Sequence, residues 1–232
     1  MPIAVVTGLA AEARIAQRNG FVAAATAGNP ARIATVTRQF LADGASLLVS
    51  FGMAGALAPL LVPGTIVLPR RVVGADGTAV SVDAAWHDRI EAALRAAGIE
   101  AADGDCLGAS AIVMTPPAKA ALNARTDAVM VDLESLGVAR AAEHGRCPFI
   151  VLRAVADPAS FALPPAASVG LDRDGRTAFG AVLRSVLRHP GQVPDLIRLG
   201  AHARRALAAL GPAAAALRRA DAARLSPPGG EG

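Results

Sequence analysis

Residues 47–57, with the sequence LLVSFGMAGAL, combine an unbroken apolar run with a glycine loop, and this combination decides the fold class. The run from Leu47 to Phe51 shows no alternation of apolar and polar residues, which is typical of a strand buried on both faces of a parallel sheet. Gly52 and Gly55 then allow the backbone to approach a flat ligand or an anion closely. Close packing of a strand against a helix explains the same glycines equally well, so the loop alone is a weak signal.

Similar apolar runs alternate with helical stretches along the first 155 residues. Further strands are predicted at residues 3–7, 22–26, 65–73, 128–132 and 149–155, and helices at residues 31–42, 83–97, 117–125 and 135–144. This order predicts a single α/β domain with a mostly parallel or mixed, twisted sheet that helices flank on both sides. Ligands of such sheets bind beyond the carboxyl ends of the strands, so the residues that follow each strand are the candidates for a site.

The character of the chain changes after residue 157. A proline-containing loop and a polar turn at 172–176 precede three predicted helices, at residues 177–187, 194–210 and 213–224. We therefore divide the chain into a catalytic domain (1–190), a basic helical extension (191–225) and a disordered tail rich in Pro and Gly (226–232). The extension can lie on an anionic membrane surface, or it can pack on the sheet or on a partner subunit. Its basic residues are Arg198, Arg204, Arg205, Arg218, Arg219 and Arg224.

Composition excludes several classes of protein. With 232 residues, 53% apolar and 18% charged, the chain has enough apolar residues for one sizeable core, which excludes disorder for most of its length. The net charge is +4, yet no dense basic run is interleaved with aromatic residues, so we expect no nucleic-acid binding. Lys119 is the only lysine among the 23 basic residues. Cys106 and Cys147 match no metal-ligand spacing, and we expect no metal site and a reducing cytoplasm.

A membrane span is the main alternative for residues 44–69, which carry no charge and are numerous enough to cross a bilayer. Glycines and prolines interrupt this stretch, and its two ends have the composition of buried strands. The apolar start of the chain meets Glu12 and Arg14 too early for a secretory leader. We therefore predict a cytoplasmic protein, with peripheral contact at the inner face of the membrane as an option for the basic helices.

Three acidic residues follow predicted strands: Glu12, Glu134 and Asp157. The tips of parallel strands converge, so these carboxyl groups are expected in one crevice. Burying several carboxylates together is costly unless they are bonded or used in catalysis, which favours a site with general acid and base groups. Helix capping is the alternative, because Asp157 precedes a proline and Glu12 can lie in the first turn of a helix.

Four segments, taken together, resemble the nucleoside phosphorylase and nucleosidase superfamily: residues 52–59, 63–67, 131–139 and 148–158. The C-terminal part, from Leu163 to Arg188, is similar to the hopanoid-associated branch. Members of that branch are linked to the removal of adenine from adenosylhopane during hopanoid side-chain synthesis. The resemblance implies a nucleoside phosphorylase-like fold and an enzyme that cleaves the bond between ribose and adenine.

The resemblance also implies roles for the acidic residues. Asp157 matches the family's acid at N7 of the purine, and Glu134 matches the glutamate that binds the 2′ and 3′ hydroxyls of the ribose. Glu12 corresponds to the nucleosidase residue that orients or activates water. The other implied substrate-binding residues are Met53, Ala54 and Gly55 along sugar and base, Leu133 where nucleosidases often have methionine, and Ile112 and Val113 at the adenine.

The sequence departs from the family pattern at two functional places. Ser50 and Met53 stand where many phosphorylases hold phosphate, and a thioether cannot donate a hydrogen bond to phosphate. This leaves water and phosphate about equally favoured as acceptor, because Arg14, Arg70 or Arg153 can still supply an anion site. Ala156 replaces the small hydroxyl residue that commonly supports the acid.

The expected substrate is an adenine nucleoside with a large apolar 5′ group, which the resemblance implies to be adenosylhopane, with phosphate as an alternative co-substrate and no other cofactor. The alternatives are a methylthioadenosine or S-adenosylhomocysteine nucleosidase and a noncatalytic nucleoside or lipid binding protein. The resemblance suggests a homodimer. His87, His144, His189 and His202 are expected in surface or capping roles.

Overall fold

The computed structural model describes residues 2–168 and 179–225, and it confirms a single α/β domain with a mixed, twisted sheet flanked by helices. The strands are β1 (Ile3–Thr7), β2 (Val22–Ala25), β3 (Leu47–Ala56), β4 (Ile66–Val67), β5 (Arg71–Gly74), β6 (Ala79–Ser81), β7 (Ala101–Ala102), β8 (Asp105–Gly108), β9 (Ala128–Asp132) and β10 (Phe149–Asp157). The helices are α1 (Ala10–Arg18), α2 (Pro30–Ala42), α3 (Ala84–Ala96), α4 (Pro116–Thr126), α5 (Ser135–Gly145), α6 (Phe179–Arg188) and α7 (Val193–Leu225), with 3-10 turns at Pro165–Ser168 and Pro190–Gln192.

Strand β3 is the centre of the sheet and changes its neighbour along its length. Its first residues pair in parallel with β1, and its last residues, Gly55 and Ala56, pair antiparallel with β9. On its other side β3 pairs in parallel with β10 over eight residue pairs. Strands β1 and β9 pair with different parts of the same edge of β3. Among the described residues, the β3 backbone between these two parts has no strand partner on this edge, so a side chain can bind its polar groups.

The predicted strand at residues 65–73 is wrong as one element. Ile66 and Val67 pair with β10 and β7, whereas β5 pairs with β6 and β8 in another part of the sheet. Pro69 lies between the two strands, and its missing N–H group prevents a continuous ladder. The predicted strand at 47–51 is too short, because the glycine loop continues β3 to Ala56. The helix α1 and the short strands β6, β7 and β8 were not predicted.

The two predicted helices at 194–210 and 213–224 are one helix, α7, which runs through Pro212. Apolar residues on both sides of the proline are buried in the same core as the sheet, so tertiary packing holds the helix together despite the lost hydrogen bond. These residues are Ala206, Leu210, Ala213, Ala214, Ala216, Leu217 and Ala220. The first half of α7 is more exposed and presents Ile197 and Arg198 to solvent. The turn at 172–176, the start of the helix predicted at 177 and the tail 226–232 lie outside the described residues.

The stretch 44–69 belongs to the sheet and its connecting loops. Across residues 2–168 and 179–225, no helix combines the length and the apolar character that crossing a membrane requires. His87 is buried rather than at the surface, and its Nε2 lies 3.0 Å from the carbonyl oxygen of Leu68.

Candidate active site

A cavity of about 230 Å³ opens where strands β1, β3, β9 and β10 end. All nine predicted site residues line it: Glu12, Met53, Ala54, Gly55, Ile112, Val113, Leu133, Glu134 and Asp157. Gly8, Leu9, Leu163, Ala167 and Leu199 contribute further apolar or backbone surface. The expected convergence of the three carboxyl groups is therefore present in the structure.

Glu12 bridges helix α1 and strand β3. Its Oε2 accepts a hydrogen bond from the N–H of Leu9 (2.7 Å) at the start of α1, and its Oε1 accepts one from the N–H of Met53 (2.8 Å). The Met53 N–H belongs to the part of β3 that lies between β1 and β9. The residue thus does cap the helix, as the alternative interpretation proposed, and it lies at the cavity as well.

Gly52 makes this position of Glu12 sterically accessible. Its φ of +148° lies in the region that favours glycine, and a Cβ atom here would lie 2.6 Å from Glu12 Oε2. Burial raises the pKa of Glu12 above its usual range, although Arg153 and the backbone N–H groups oppose the shift. Glu12 is therefore a stronger base than an exposed carboxylate.

Arg153 lies in the middle of β10 and is completely buried. Its Nη2 donates to Ser50 Oγ (2.7 Å) and to Glu134 Oε2 (3.2 Å), and its Nε lies 2.7 Å from Asp132 Oδ2. Asp132 in turn accepts hydrogen bonds from the N–H groups of Glu134 and Ser135 at the start of α5. The guanidinium group thus holds two carboxylates in place, and its hydrogen-bonding groups face protein atoms rather than the cavity.

The two carboxyl oxygens of Glu134 have different surroundings. Oε2 is bound by Arg153, whereas Oε1 lies beside Gly8, whose absent Cβ would come within 2.8 Å of it. Burial raises the pKa of Glu134 to about 7; Arg153 opposes this shift, and the nearby carboxylates of Asp132 and Glu12 add to it. The residue therefore changes between a neutral and an ionised form near neutral pH.

Asp157 reaches the cavity through an irregularity in β10. The register between β10 and β3 shifts between Val155 and Asp157, which places Asp157 opposite Gly55. Burial raises the pKa of Asp157 above its usual range, and the ammonium group of Lys119 opposes this shift.

Lys119 was not predicted as a site residue. It lies on α4, is completely buried, and its Nζ is 2.5 Å from Asp157 Oδ2. The available signals were its status as the only lysine of the chain and the lack of a hydroxyl group at Ala156 to support the acid. Neither signal locates the lysine, because 38 residues separate it from Asp157 along the chain.

No basic side chain lines the cavity within residues 2–168 and 179–225. Of the three arginines considered for phosphate, Arg14 and Arg70 are exposed elsewhere, and Arg153 is bound to Ser50, Asp132 and Glu134. The ionisable groups at the cavity are all acidic: Glu12, Asp132, Glu134 and Asp157. This composition suits proton transfer and hydroxyl binding rather than the binding of an anion.

Solved structures with the same fold include several nucleosidases. The 5′-methylthioadenosine/S-adenosylhomocysteine nucleosidase from Neisseria meningitidis, in complex with methylthio-immucillin-A, matches with a TM-score of 0.71 at 16% identity, over 93% of this chain and 97% of that chain. Futalosine hydrolase from Helicobacter pylori matches with a TM-score of 0.65 at 15% identity, over 80% and 97%. The Campylobacter jejuni 5′-methylthioadenosine/S-adenosylhomocysteine nucleosidase matches with a TM-score of 0.64 at 14% identity, over 91% and 99%.

No curated protein matches the sequence significantly. The family model of the phosphorylase superfamily matches residues 5–188, which include every residue of the cavity except Leu199. The chain belongs to the phosphorylase superfamily.

Proposed function

We propose that this protein hydrolyses the N-glycosidic bond of an adenine nucleoside that carries an apolar 5′ substituent. The observation that carries the proposal is the placement of three buried carboxyl groups, those of Glu12, Glu134 and Asp157, around one largely apolar cavity. The fold is shared with nucleosidases that act on 5′-modified adenine nucleosides, which supports the same class of reaction.

The chemistry requires stabilisation at both ends of the bond that breaks. When the bond between C1′ and N9 breaks, its electron pair goes to the adenine, and positive charge develops on the sugar as in other glycosidic cleavages. In our proposal Asp157 donates a proton to N7 of the departing base, and such an acid contributes ~10²–10⁴-fold to the rate. Water forms the new bond to C1′ and loses its proton to Glu12.

Glu134 is proposed to bind the ribose. Its Oε1 beside Gly8 is suited to accept hydrogen bonds from the 2′ and 3′ hydroxyls, while Oε2 stays on Arg153. The ionised carboxylate also places negative charge near the developing cation. Because Arg153 fixes one oxygen, the other is held in position before the substrate arrives.

Water is favoured over phosphate as the acceptor by the charges around the cavity. Phosphate binding needs donors or cations, and the part of the cavity wall that the structure describes offers acidic side chains instead. Arg153, whose guanidinium group lies against these carboxylates, is already paired with two of them, Asp132 and Glu134. Glu12 is well placed to take a proton from water, because its two backbone hydrogen bonds fix the carboxylate at the cavity.

An apolar 5′ group is favoured by the apolar residues that surround the carboxylates. Leu9, Ile112, Val113, Leu163 and Leu199 provide this surface, and no cation is present in the described wall to receive the amino-acid carboxylate of S-adenosylhomocysteine. The similarity of residues 163–188 to the hopanoid-associated branch supports adenosylhopane as the substrate, and thus a role in hopanoid biosynthesis. Methylthioadenosine, whose 5′ group is small and apolar, is the second candidate.

Peripheral membrane contact is part of the proposal, since a polycyclic lipid substrate resides in a membrane. The exposed first half of α7 carries Ile197 together with Arg198, Arg204 and Arg205, next to Leu199 at the cavity. Apolar and cationic side chains on one surface are typical of binding to anionic lipid. Cosedimentation with vesicles should increase with the anionic lipid content, and independence from it would contradict this part. The homodimer stays a prediction.

The substrate test compares adenine release from three nucleosides: a 5′-alkyl adenosine with a long chain, methylthioadenosine and S-adenosylhomocysteine. We expect the highest kcat/KM for the long alkyl chain and the lowest for S-adenosylhomocysteine. A preference for methylthioadenosine over the long alkyl chain would favour the second candidate. Calorimetric binding of all three without any product would identify a noncatalytic binding protein and contradict the proposal.

A further inference from the structure

The side chain of Lys119 makes three hydrogen bonds at one end of the cavity. Its Nζ donates to Asp157 Oδ2 and to the carbonyl oxygens of Pro158 (2.9 Å) and Phe161 (3.1 Å). A neutral amine has only two N–H donors, whereas an ammonium group has three. The three acceptors therefore indicate that Lys119 is charged although its side chain is completely shielded from solvent.

Burying the full positive charge of Lys119 is unfavourable unless other interactions compensate for it. Taking an ammonium group out of water costs several kcal/mol, and only good geometry and full hydrogen bonding offset that cost. The rest of this chain uses arginine for its positive charges. An arginine has a planar group with fixed donor directions, whereas a lysine presents a compact charge that can meet one carboxylate oxygen and two carbonyl oxygens at once.

The two oxygens of Asp157 are consequently not equivalent. Oδ2 accepts a hydrogen bond from Lys119, whereas Oδ1 has no hydrogen-bond partner among the described residues, and Asp157 lines the cavity. The carbonyl bonds from Lys119 also hold the backbone at Pro158 and Phe161, directly after the acid. Lys119 thus fixes both the side chain of Asp157 and the loop that follows it.

We infer that Lys119 is a positioning residue for Asp157: it orients the acid through Oδ2 and stabilises the carboxylate that forms when Oδ1 gives its proton to the purine. This inference rests on the proposed function. During the step, the O–H bond of Asp157 breaks and an N–H bond forms at N7, and the electron pair that remains on Asp157 lies next to the ammonium of Lys119. The lysine keeps its three protons throughout.

The absence of a hydroxyl group at Ala156 is consistent with this role. The resemblance to nucleosidases implies a small hydroxyl residue at that position as support for the acid, and an alanine side chain cannot donate a hydrogen bond. Lys119 reaches the same carboxyl group from another element, α4, and supplies a full charge in addition to a hydrogen bond. Lys119 thus supplies the hydrogen-bond donor that Ala156 cannot provide to Asp157.

Other ionisable groups near Asp157 do not take over this role. His202 on α7 faces Asp157, but burial and the neighbouring Arg205 lower the pKa of this histidine, which disfavours its cationic form. Glu12 on α1 and Glu134 before α5 line the same cavity, but both are acidic and supply no positive charge to Asp157. Among the described residues, Lys119 is the group whose charge most favours the ionised form of Asp157.

The test follows Asp157 directly by NMR titration of its ¹³C-labelled carboxyl carbon in the full chain, without substrate. Assignment uses Asp157→Asn, in which the signal disappears.

In Lys119→Met, which keeps the length of the side chain but removes the charge, we expect the titration midpoint to rise by about 1–3 pH units, the shift typical of losing an opposite charge at this distance. Lys119→Arg, which keeps the charge, should show a smaller rise. Lys119→Gln keeps a hydrogen-bond donor without the charge and should behave as Lys119→Met, which guards against one variant failing to fold.

Turnover supplies the second measurement. At each variant's own pH optimum, Lys119→Met should lower kcat on the order of tenfold with little change in KM, less than the ~10²–10⁴-fold loss expected for removing the acid itself. Methylammonium should partly restore kcat in Lys119→Ala, which leaves space for it, but not in Lys119→Met.

An unmoved midpoint in folded Lys119→Met and Lys119→Gln, or an unchanged kcat, would overturn the inference. A wild-type chain that releases no adenine would overturn the proposed function instead, while the titration still decides whether Lys119 controls the ionisation of Asp157.

Discussion

Arg153 Nε lies 2.7 Å from Asp132 Oδ2, and both side chains are buried. The same guanidinium group also binds Glu134, so one cation pairs with two carboxylates, and it opposes the rise that burial causes in the pKa of Glu12. Removing such a cation leaves buried negative charge without compensation, which costs more than the pair contributes to stability. Arg153 is therefore the residue on which the geometry of the acidic cluster depends.

Replacing Arg153 should consequently destabilise the fold. We expect Arg153→Met to lower the free energy of unfolding by about 3–5 kcal/mol, the cost typical of breaking a buried ion pair. Chemical denaturation measures this change. Arg140→Met is the matched control, because Arg140 and Asp76 form an ion pair in which both side chains are exposed, and its loss should change stability little. Equal effects of the two substitutions would contradict the central role of Arg153.

Gly52 should tolerate no side chain. In Gly52→Ala the new Cβ would lie 2.6 Å from the carboxylate of Glu12, and the backbone has a φ of +148°. We expect a loss of about 1–3 kcal/mol in the free energy of unfolding from backbone strain, together with loss of turnover as Glu12 is displaced. Gly200→Ala is the control, since it lies in α7 with open space around it and should gain about 0.5–1 kcal/mol. A fully active Gly52→Ala would show that the position of Glu12 is not important.

The pKa of Glu134 leads to a prediction for the pH dependence of stability. Its pKa rises from the ordinary 4.5 to about 7 on folding, so the folded chain binds this proton more tightly than the unfolded chain does. The resulting stabilisation is complete below pH 4.5 and is lost as the pH rises through about 7. Glu134→Gln lacks it, so its stability relative to the wild type should increase between these two pH values. A difference that stays constant with pH, measured by thermal unfolding, would contradict the raised pKa.

Asp157 is expected to be required for turnover but not for folding. Asp157→Asn keeps the shape and can accept a hydrogen bond from Lys119, but it cannot give a proton to the purine. We expect kcat to fall ~10²–10⁴-fold with an unchanged far-UV circular dichroism spectrum. Comparable turnover by the variant and the wild type would exclude Asp157 as the acid.

Three of the carboxyl groups at the cavity, those of Glu12, Glu134 and Asp157, could be located from the sequence because each follows a predicted strand, and the ends of such strands meet at one edge of the sheet. Arg153 and Lys119 could not. The sequence offers Arg153 as an anion ligand, but its apolar neighbours in β10 do not show which carboxylates it meets. The contact between Lys119 and Asp157 joins a helix and a strand end through tertiary packing, which periodicity does not encode.

The elements that escaped prediction share a physical cause. Strands β4 and β7 have two residues each, too few for any period to be visible, and their stability comes from pairing with longer strands. The long helix α7 was divided because proline normally ends a helix, whereas the buried alanines around Pro212 hold it together. In both cases packing against the sheet outweighs the local preference of the chain.

The most direct test of the proposed hydrolysis is to incubate the protein with a 5′-alkyl adenosine in H₂¹⁸O without phosphate and to analyse both products by mass. We expect free adenine and a free 5′-alkyl ribose that carries ¹⁸O at C1′, formed at the same rate when phosphate is added. Adenine release only with phosphate, together with a sugar 1-phosphate, would contradict hydrolysis and require an anion site. No adenine under either condition would contradict glycosidic cleavage altogether.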